Sequence, residues 1–347
     1  MNKGWLVIRS RSVPISFRLD RRVLPVLLAL LLITMVTGEI ALFQGEYPIP
    51  PLDIVKSLLG LDVGNPDYPF VVGTLRLPRT VVAYLVGVGL AISGTILQGL
   101  SRNPLADPSI VGINAGASLA AVTLIVLLPS FPLFALPLSA FGGALAVALL
   151  IYLLAWDRGS SPIRLILVGI GLAAISSALT SLMLAYGAIN DVTQALIWLT
   201  GSVHGRGWES VWLLFPGIAI LLPLSWLLAT DLNALNLGDD IARSLGSRVE
   251  WQRGLLLLVS VALASISVAV AGAIGFVGLI APHLGRQLVG ATHESLIPIA
   301  AAIGGLIVVL ADLLGRTLFA PVELPCGLIT AAVGAPYFLY LLLQNRK

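Results

Sequence analysis

Few side chains here have the type and spacing that chemistry needs, and their surroundings remove most of them. Gly169-Ile170-Gly171-Leu172-Ala173-Ala174 fits GxGxxA, and Asp191 follows twenty residues beyond Gly171. In a dinucleotide fold that carboxylate would meet a ribose, but the glycines must then follow a strand. These lie inside an uninterrupted apolar run, so no nucleotide site is expected. The three lysines, Lys3, Lys56 and Lys347, never complete GxxxxGK[ST], so ATP is not held by a phosphate loop of this chain. His204, His283 and His293 are scattered without metal-ligand spacing, and no Ser/His/Asp set is suggested. His283, after Pro282, reads as a partner for a helix end. The single cysteine, Cys326, excludes an intrachain disulfide framework. Asp312 and Arg316 are four apart and share a helix face, which reads as an internal ion pair. Neither enzymatic chemistry nor a bound metal or cofactor is expected.

The elements that carry these residues are membrane spans. Apolar residues make up 58% of the 347 and charged residues 11%, against about a quarter charged in soluble domains. A basic segment, residues 1–22, precedes an apolar run from Val23 to Phe43. That run is longer than the apolar core of a signal peptide and lacks a clean cleavage site after it, so a retained first span is expected. With about twenty residues per crossing, ten spans are expected at 23–43, 80–100, 109–128, 136–156, 165–186, 208–230, 254–273, 276–290, 297–315 and 326–344. The fold class is therefore all-α and polytopic, one ten-helix domain over 23–347, with both termini cytoplasmic. Positive charge supports the count: only Lys56, Arg76, Arg79, Arg206 and Arg316, of 20 basic residues, then fall outside. Basic residues spread singly through loops set orientation and do not suggest nucleic-acid binding.

Within that frame, LRLPR (75–79) and SRNPLADP (101–108) are polar knots at opposite ends of the second span. Small residues such as Gly112, Gly116, Gly142, Gly143, Gly169, Gly171, Gly304 and Gly305 read as helix-packing contacts. SIVGINAG (109–116) and GFVGLIAP (275–282) echo each other in short, interrupted spans of opposite expected orientation. The cytoplasmic loop 231–253 places Leu237, Ile241, Ala242 and Leu245 at helical spacing, with Asn236 as a start and Gly246 as a stop. A short amphipathic helix is expected, packed on the bundle or seated in a partner's groove. Outside, Arg76, Arg79 and Arg316 either snorkel to lipid phosphates or present a cationic patch to an acidic partner.

Several of these segments, in this order, resemble the FecCD-type permeases of ABC importers for iron-siderophores, haem and vitamin B12. The resemblance rests on LRLPRT (75–80), GTILQGLSRNPLADPSIVGINAGA (94–117), LGDDIARSLG (237–246), GFVGLIAPHLGR (275–286), LADLLGR (310–316) and ELPCGLITAAVGAPYFLYLL (323–342). It implies ten helices in the cytoplasmic membrane, paired with a second permease subunit as a homodimer or heterodimer. It also implies two cytoplasmic ATPase subunits, which bind ATP and Mg, and an extracytoplasmic substrate-binding protein. By the resemblance, Leu237, Gly238, Ile241, Ala242, Leu245 and Gly246 form the helix that couples to the ATPase. Arg76, Arg79 and Arg316 would pair with glutamates of the binding protein, and Gly159, Ser160, Ser161 and Pro162 would form the cytoplasmic gate. The cargo implied is an iron(III)-siderophore, with vitamin B12 or haem as alternatives.

Overall fold

A computed structural model describes residues 5–9, 16–45, 47–108, 112–128, 130–132, 134–157 and 161–344. The basic N-terminal segment contains an antiparallel ribbon, β1 (Trp5–Arg9) and β2 (Ser16–Asp20), a small departure from the all-helical expectation. The helices follow as α1 (Val23–Phe43), α2 (Pro51–Leu58), α3 (Asp67–Phe70), α4 (Leu77–Ser101), α5 (Ile113–Leu127), α6 (Ala135–Ala155), α7 (Pro162–Tyr186) and α8 (Ile189–Leu199). Then come α9 (Trp208–Leu227), α10 (Ala229–Asn236), α11 (Asp239–Ser244), α12 (Val249–Ala271), α13 (Val277–Val289), α14 (His293–Thr317) and α15 (Cys326–Gln344).

Each of the ten expected spans holds one helix. Among the described residues, eight helices are long and apolar enough to cross a bilayer. The other two, α5 and α13, have 15 and 13 residues, about 23 and 20 Å of rise against an apolar core of about 30 Å. Both start from a left-handed residue, Gly112 at φ 93° and Phe276 at φ 69°. Before α13 the backbone at 272–276 is irregular. Such backbone is tolerated at membrane depth where protein surrounds it, and Val277 and Ile274 are buried.

The bundle is built around α4. It packs against α14, α12, α13 and α9, and 83% of its most apolar stretch is buried, against 22% for α1 and for α7. Glycine lets its neighbours come this close. A Cβ on Gly94 would sit 2.0 Å from the Gly278 carbonyl oxygen, and one on Gly87 2.1 Å from that of Gly304. Gly116 and Gly143 meet in the same way between α5 and α6, whereas Gly142 and Gly171 face open space. Helices in lipid associate through close contact, because apolar burial offers little preference between lipid and protein.

The outer knot is not a loop. Helix runs from Asp67 to Ser101, with one π-helical turn at Val71–Arg76 just before Pro78. Proline has no N–H to donate and its ring crowds the preceding turn. A local widening to the π pattern absorbs that conflict without ending the helix.

Candidate functional site

Two polar clusters lie at opposite ends of the bundle. One gathers the residues expected outside and the other those expected in the cytoplasm. At the outer end, Arg76 donates to the carbonyls of Leu42 (2.7 Å) and Tyr47, and Arg316 donates to Ala41 at 3.2 Å. Two guanidinium groups thus cap the last turn of α1, where unpaired carbonyls and the helix dipole favour positive charge. Gly45 leaves room beside them: a Cβ there would lie 2.6 Å from Arg76 Nη2, so the guanidinium would have to shift.

Arg79 holds Asp312 through Nε at 3.0 Å and Nη2 at 2.7 Å, and holds Glu323 at 2.9 Å through Nη1. Arg316 Nη2 lies 3.0 Å from Asp312 Oδ2, close enough for charge attraction but not aligned as a hydrogen bond. The expected Asp312–Arg316 pair is therefore present. In this structure Arg76 and Arg316 are buried, and only 11% of the Arg79 side chain is exposed. The physical reason is that helix-end carbonyls and two carboxylates lie within reach and draw the arginines inward.

His204 lies 2.6 Å from Glu323 and completes this cluster. Burial alone would raise the Glu323 carboxyl, but Arg79 and His204 outweigh it and hold it below its ordinary 4.5. The contribution of this contact to stability is full above that value and is lost as pH falls through the lowered folded-state value. Wild type and Glu323→Gln are expected to differ in unfolding temperature by a constant amount near neutrality, the gap closing only in acid. A gap that closed well above the ordinary carboxylate range would overturn this assignment to Glu323.

The inner cluster ties six helices together. Gln98, near the end of α4, donates to Ala106 and Gly278 carbonyls, each at 3.2 Å, and accepts from Arg286 at 2.6 Å. It holds the inner knot in place, and the knot's Asp107 lies against Gly278 in the first turn of α13, where an anion suits the dipole. Asn233 accepts from the His293 N–H at 3.0 Å and donates to Glu294 at 2.6 Å, joining α10 to α14. The carboxylate of Asp239 accepts from Arg102 at the end of α4 and from Arg253 of α12, the latter at 2.7 Å. Arg253 is 1% exposed and also reaches Glu250 at 3.4 Å. Burial alone would raise Asp239, but Arg253 and Arg102 hold it below the usual carboxylate range.

The loop between α9 and α12 corrects one boundary. Asn236 does not open the expected helix but ends α10. The new start is Gly238, whose φ of 118° suits glycine alone and breaks the path between α10 and α11. Gly246 does stop the helix: its φ is 87°, and Ser247 N–H reaches back to Ala242 at 3.0 Å. Ala242 is buried, whereas Leu237, Ile241 and Leu245 are 59%, 50% and 66% exposed. The apolar face thus points away from its own bundle. Of the gate residues, Gly159 and Ser160 lie outside the described residues, Ser161 is extended, and Pro162 opens α7.

The remaining candidates are dispersed. Cys326 is buried at the start of α15, and His283 stacks edge-on against Tyr337 at 5.7 Å. Among the described residues, no group of three His, Cys, Asp or Glu side chains is placed to hold a metal. Sequence reasoning missed Gln98, Asn233, Asp239 and Arg253 as anchors. Their only prior signal was polarity beside a span end.

Comparison with known proteins matches the FecCD transport family over residues 30–344. The chain is 45% identical to the Fe(3+)-citrate import system permease protein YfmE of Bacillus subtilis (strain 168), covering 94% of this chain and 96% of that one. It is 41% identical to the Fe(3+) dicitrate transport system permease protein FecD of Escherichia coli (strain K12), covering 90% and 98%. It is also similar to the cobalamin import system permease protein BtuC of Halobacterium salinarum, 40% identical over 89% of this chain and 83% of that one. A solved structure described as an inward-facing metal-chelate type ABC transporter shares the fold, with a TM-score of 0.83 and 33% identity over 92% of this chain and 99% of that one. A shared fold, near-complete coverage and matching motifs give one conclusion: the chain belongs to the FecCD transport family.

Proposed function

We propose that this chain is the membrane-spanning permease subunit of an ABC importer that moves an iron(III)-siderophore into the cytoplasm. The observation that carries this reading is α11. A helix anchored to the bundle through Asp239, with Leu237, Ile241 and Leu245 facing outward, suits a groove on a separate partner. That partner is a cytoplasmic ATPase, two copies of which serve a pair of permease subunits. ATP and Mg are bound there, and the permease itself is not an enzyme. Closure of the ATPases pushes α11 on each permease and shifts the balance between inward- and outward-open bundles. The turn at 159–162 forms the inner constriction. An iron chelate is favoured over cobalamin because two of the three related permeases named above import iron(III) citrate, at identities slightly above that of the cobalamin permease.

A substrate-binding protein docks at the outer end, above Arg76, Arg79 and Arg316. Its acidic side chains compete with Asp312 and Glu323 for Arg79, so docking exchanges one set of pairs for another. Membrane orientation with both termini inside follows from the charge distribution.

Reconstitution with the ATPase and binding protein tests the reading. Uptake of the ferric chelate should require ATP and all partners. Ile241→Asp puts a charge on the exposed face of α11 and should weaken ATPase co-purification by about tenfold or more, while the permease remains folded. Uptake by the chain alone, driven by an ion gradient, would overturn the proposal.

A further inference from the structure

Between α1 and α4 lies a helix whose apolar side is turned away from the protein. In α2 the polar residues Asp53, Lys56 and Ser57 share one side, and Leu52, Val55, Leu58 and Leu59 the other. A helix that covers a water-soluble core buries its apolar side and shows the polar one. In α2 the one buried residue is Ile54, which joins Leu42, Ile49 and Val72 in a small apolar cluster. Leu52, Val55 and Leu59 are 65%, 46% and 68% exposed, whereas the Asp53 side chain is 22% exposed.

This helix is defined at both ends. Pro51 opens it, at a position where no backbone N–H is needed. Gly60 at φ 69° closes it, and Leu61 N–H returns to the Lys56 carbonyl at 2.9 Å. α2 packs on α1, α3 and the π-helical turn, which holds its exposed side in place.

We propose that α2 is a membrane-surface helix, with Leu52, Val55 and Leu59 inserted among the lipids at the outer end of α1. The surface it extends already faces lipid. α2 follows α1 after a link of residues 44–50, and the outer half of α1, a span long and apolar enough to cross the bilayer, exposes Met35, Val36 and Ile40. Tyr47 in that link is exposed and stands edge-on to Tyr68 at 6.1 Å. Such rings, apolar in body and polar at the tip, sit at headgroup level. Lys56 borders Leu52 and Leu59 on the helix and is only loosely paired with Asp53, at 3.9 Å. Its ammonium is free to reach a lipid phosphate while its stem stays on apolar surface. A surface helix holds by the apolar area it inserts and by attraction to phosphate, and α2 supplies both. The assignment needs α1 to cross the bilayer, and nothing from the importer reading above.

Spin labels on Leu52→Cys, Val55→Cys and Leu59→Cys, read in the full chain in phosphatidylcholine nanodiscs, test the proposal. Cys326 is buried, and the unsubstituted chain is the labelling blank. Collision rates are measured with oxygen, which dissolves in lipid, and with a nickel chelate, which stays in water. Asp62→Cys, in the exposed polar turn after α2, gives the aqueous reference. The oxygen-to-nickel ratio should exceed that reference severalfold at all three positions. Ratios equal to the reference overturn the proposal. Exclusion of both agents also overturns it and assigns the face to a second copy of the chain. So does a nickel-accessible face that becomes shielded only when binding protein is added. The three side chains are exposed, so the labels should leave the unfolding temperature unchanged. If one variant fails to fold, the remaining two positions decide.

Discussion

Gly94→Ala is expected to lower the unfolding temperature sharply, and Gly94→Val to abolish accumulation of folded protein. A Cβ at Gly94 would lie 2.0 Å from Gly278 O and 2.5 Å from Gly278 Cα, so the clash is with backbone and no side-chain rotation relieves it. The α4 and α13 axes would have to separate by more than about 1 Å, which forfeits much of the dispersion energy along the contact. Overpacking of a filled core costs about 1–3 kcal/mol, and a rigid backbone obstacle belongs at the upper end. Gly142→Ala is the control. A Cβ there meets nothing within 4 Å, and alanine gains up to about 1 kcal/mol of helix propensity. Thermal unfolding in detergent separates the two, and equal midpoints would refute the packing argument.

Asp239→Asn should uncouple the two ends of the proposed energy transfer while leaving most of the bundle folded. Asp239 is the first residue of α11 and receives one arginine from α4 and another from α12. Removing its charge leaves Arg253, 1% exposed, without its closest carboxylate. Breaking a buried pair from one side costs about 3–5 kcal/mol. Because the Asp239 side chain is 27% exposed, water offsets part of this, and a loss of about 2 kcal/mol is expected. The functional loss should be larger than the stability loss. The ATPase should still bind, through the untouched face of α11, but its hydrolysis should no longer respond to substrate and binding protein. The measurement is ATPase rate with and without loaded binding protein. A variant that retains normal stimulation would show that the latch only stabilises the fold.

The membrane architecture was largely legible in the sequence, because a crossing imposes a local demand on run length and charge. Val23–Phe43 coincides with α1 to the residue. The polar sites were less legible, because their partners are distant. Nothing around Arg76 or Arg316 signals that both cap α1, since their acceptors lie 34 and 275 residues away. The glycines show the same limit. Gly142 and Gly143 are neighbours in sequence, yet only Gly143 touches another backbone. At α11 the apolar spacing was readable, but the boundary depended on the positive φ of Gly238, a backbone property that composition does not specify.

The double cap on α1 also bears on the order in which the protein is made. The α1 helix leaves the ribosome first, yet it packs chiefly on α14, and the guanidinium of Arg316 belongs to that late helix. Until α14 arrives, water at the membrane surface must serve the carbonyl of Ala41, and α1 stays a loosely held rod. Its closure is therefore a late step of assembly. A nascent chain truncated before Arg316 keeps only the Arg76 half of this cap, and the carbonyl of Ala41 stays open to water.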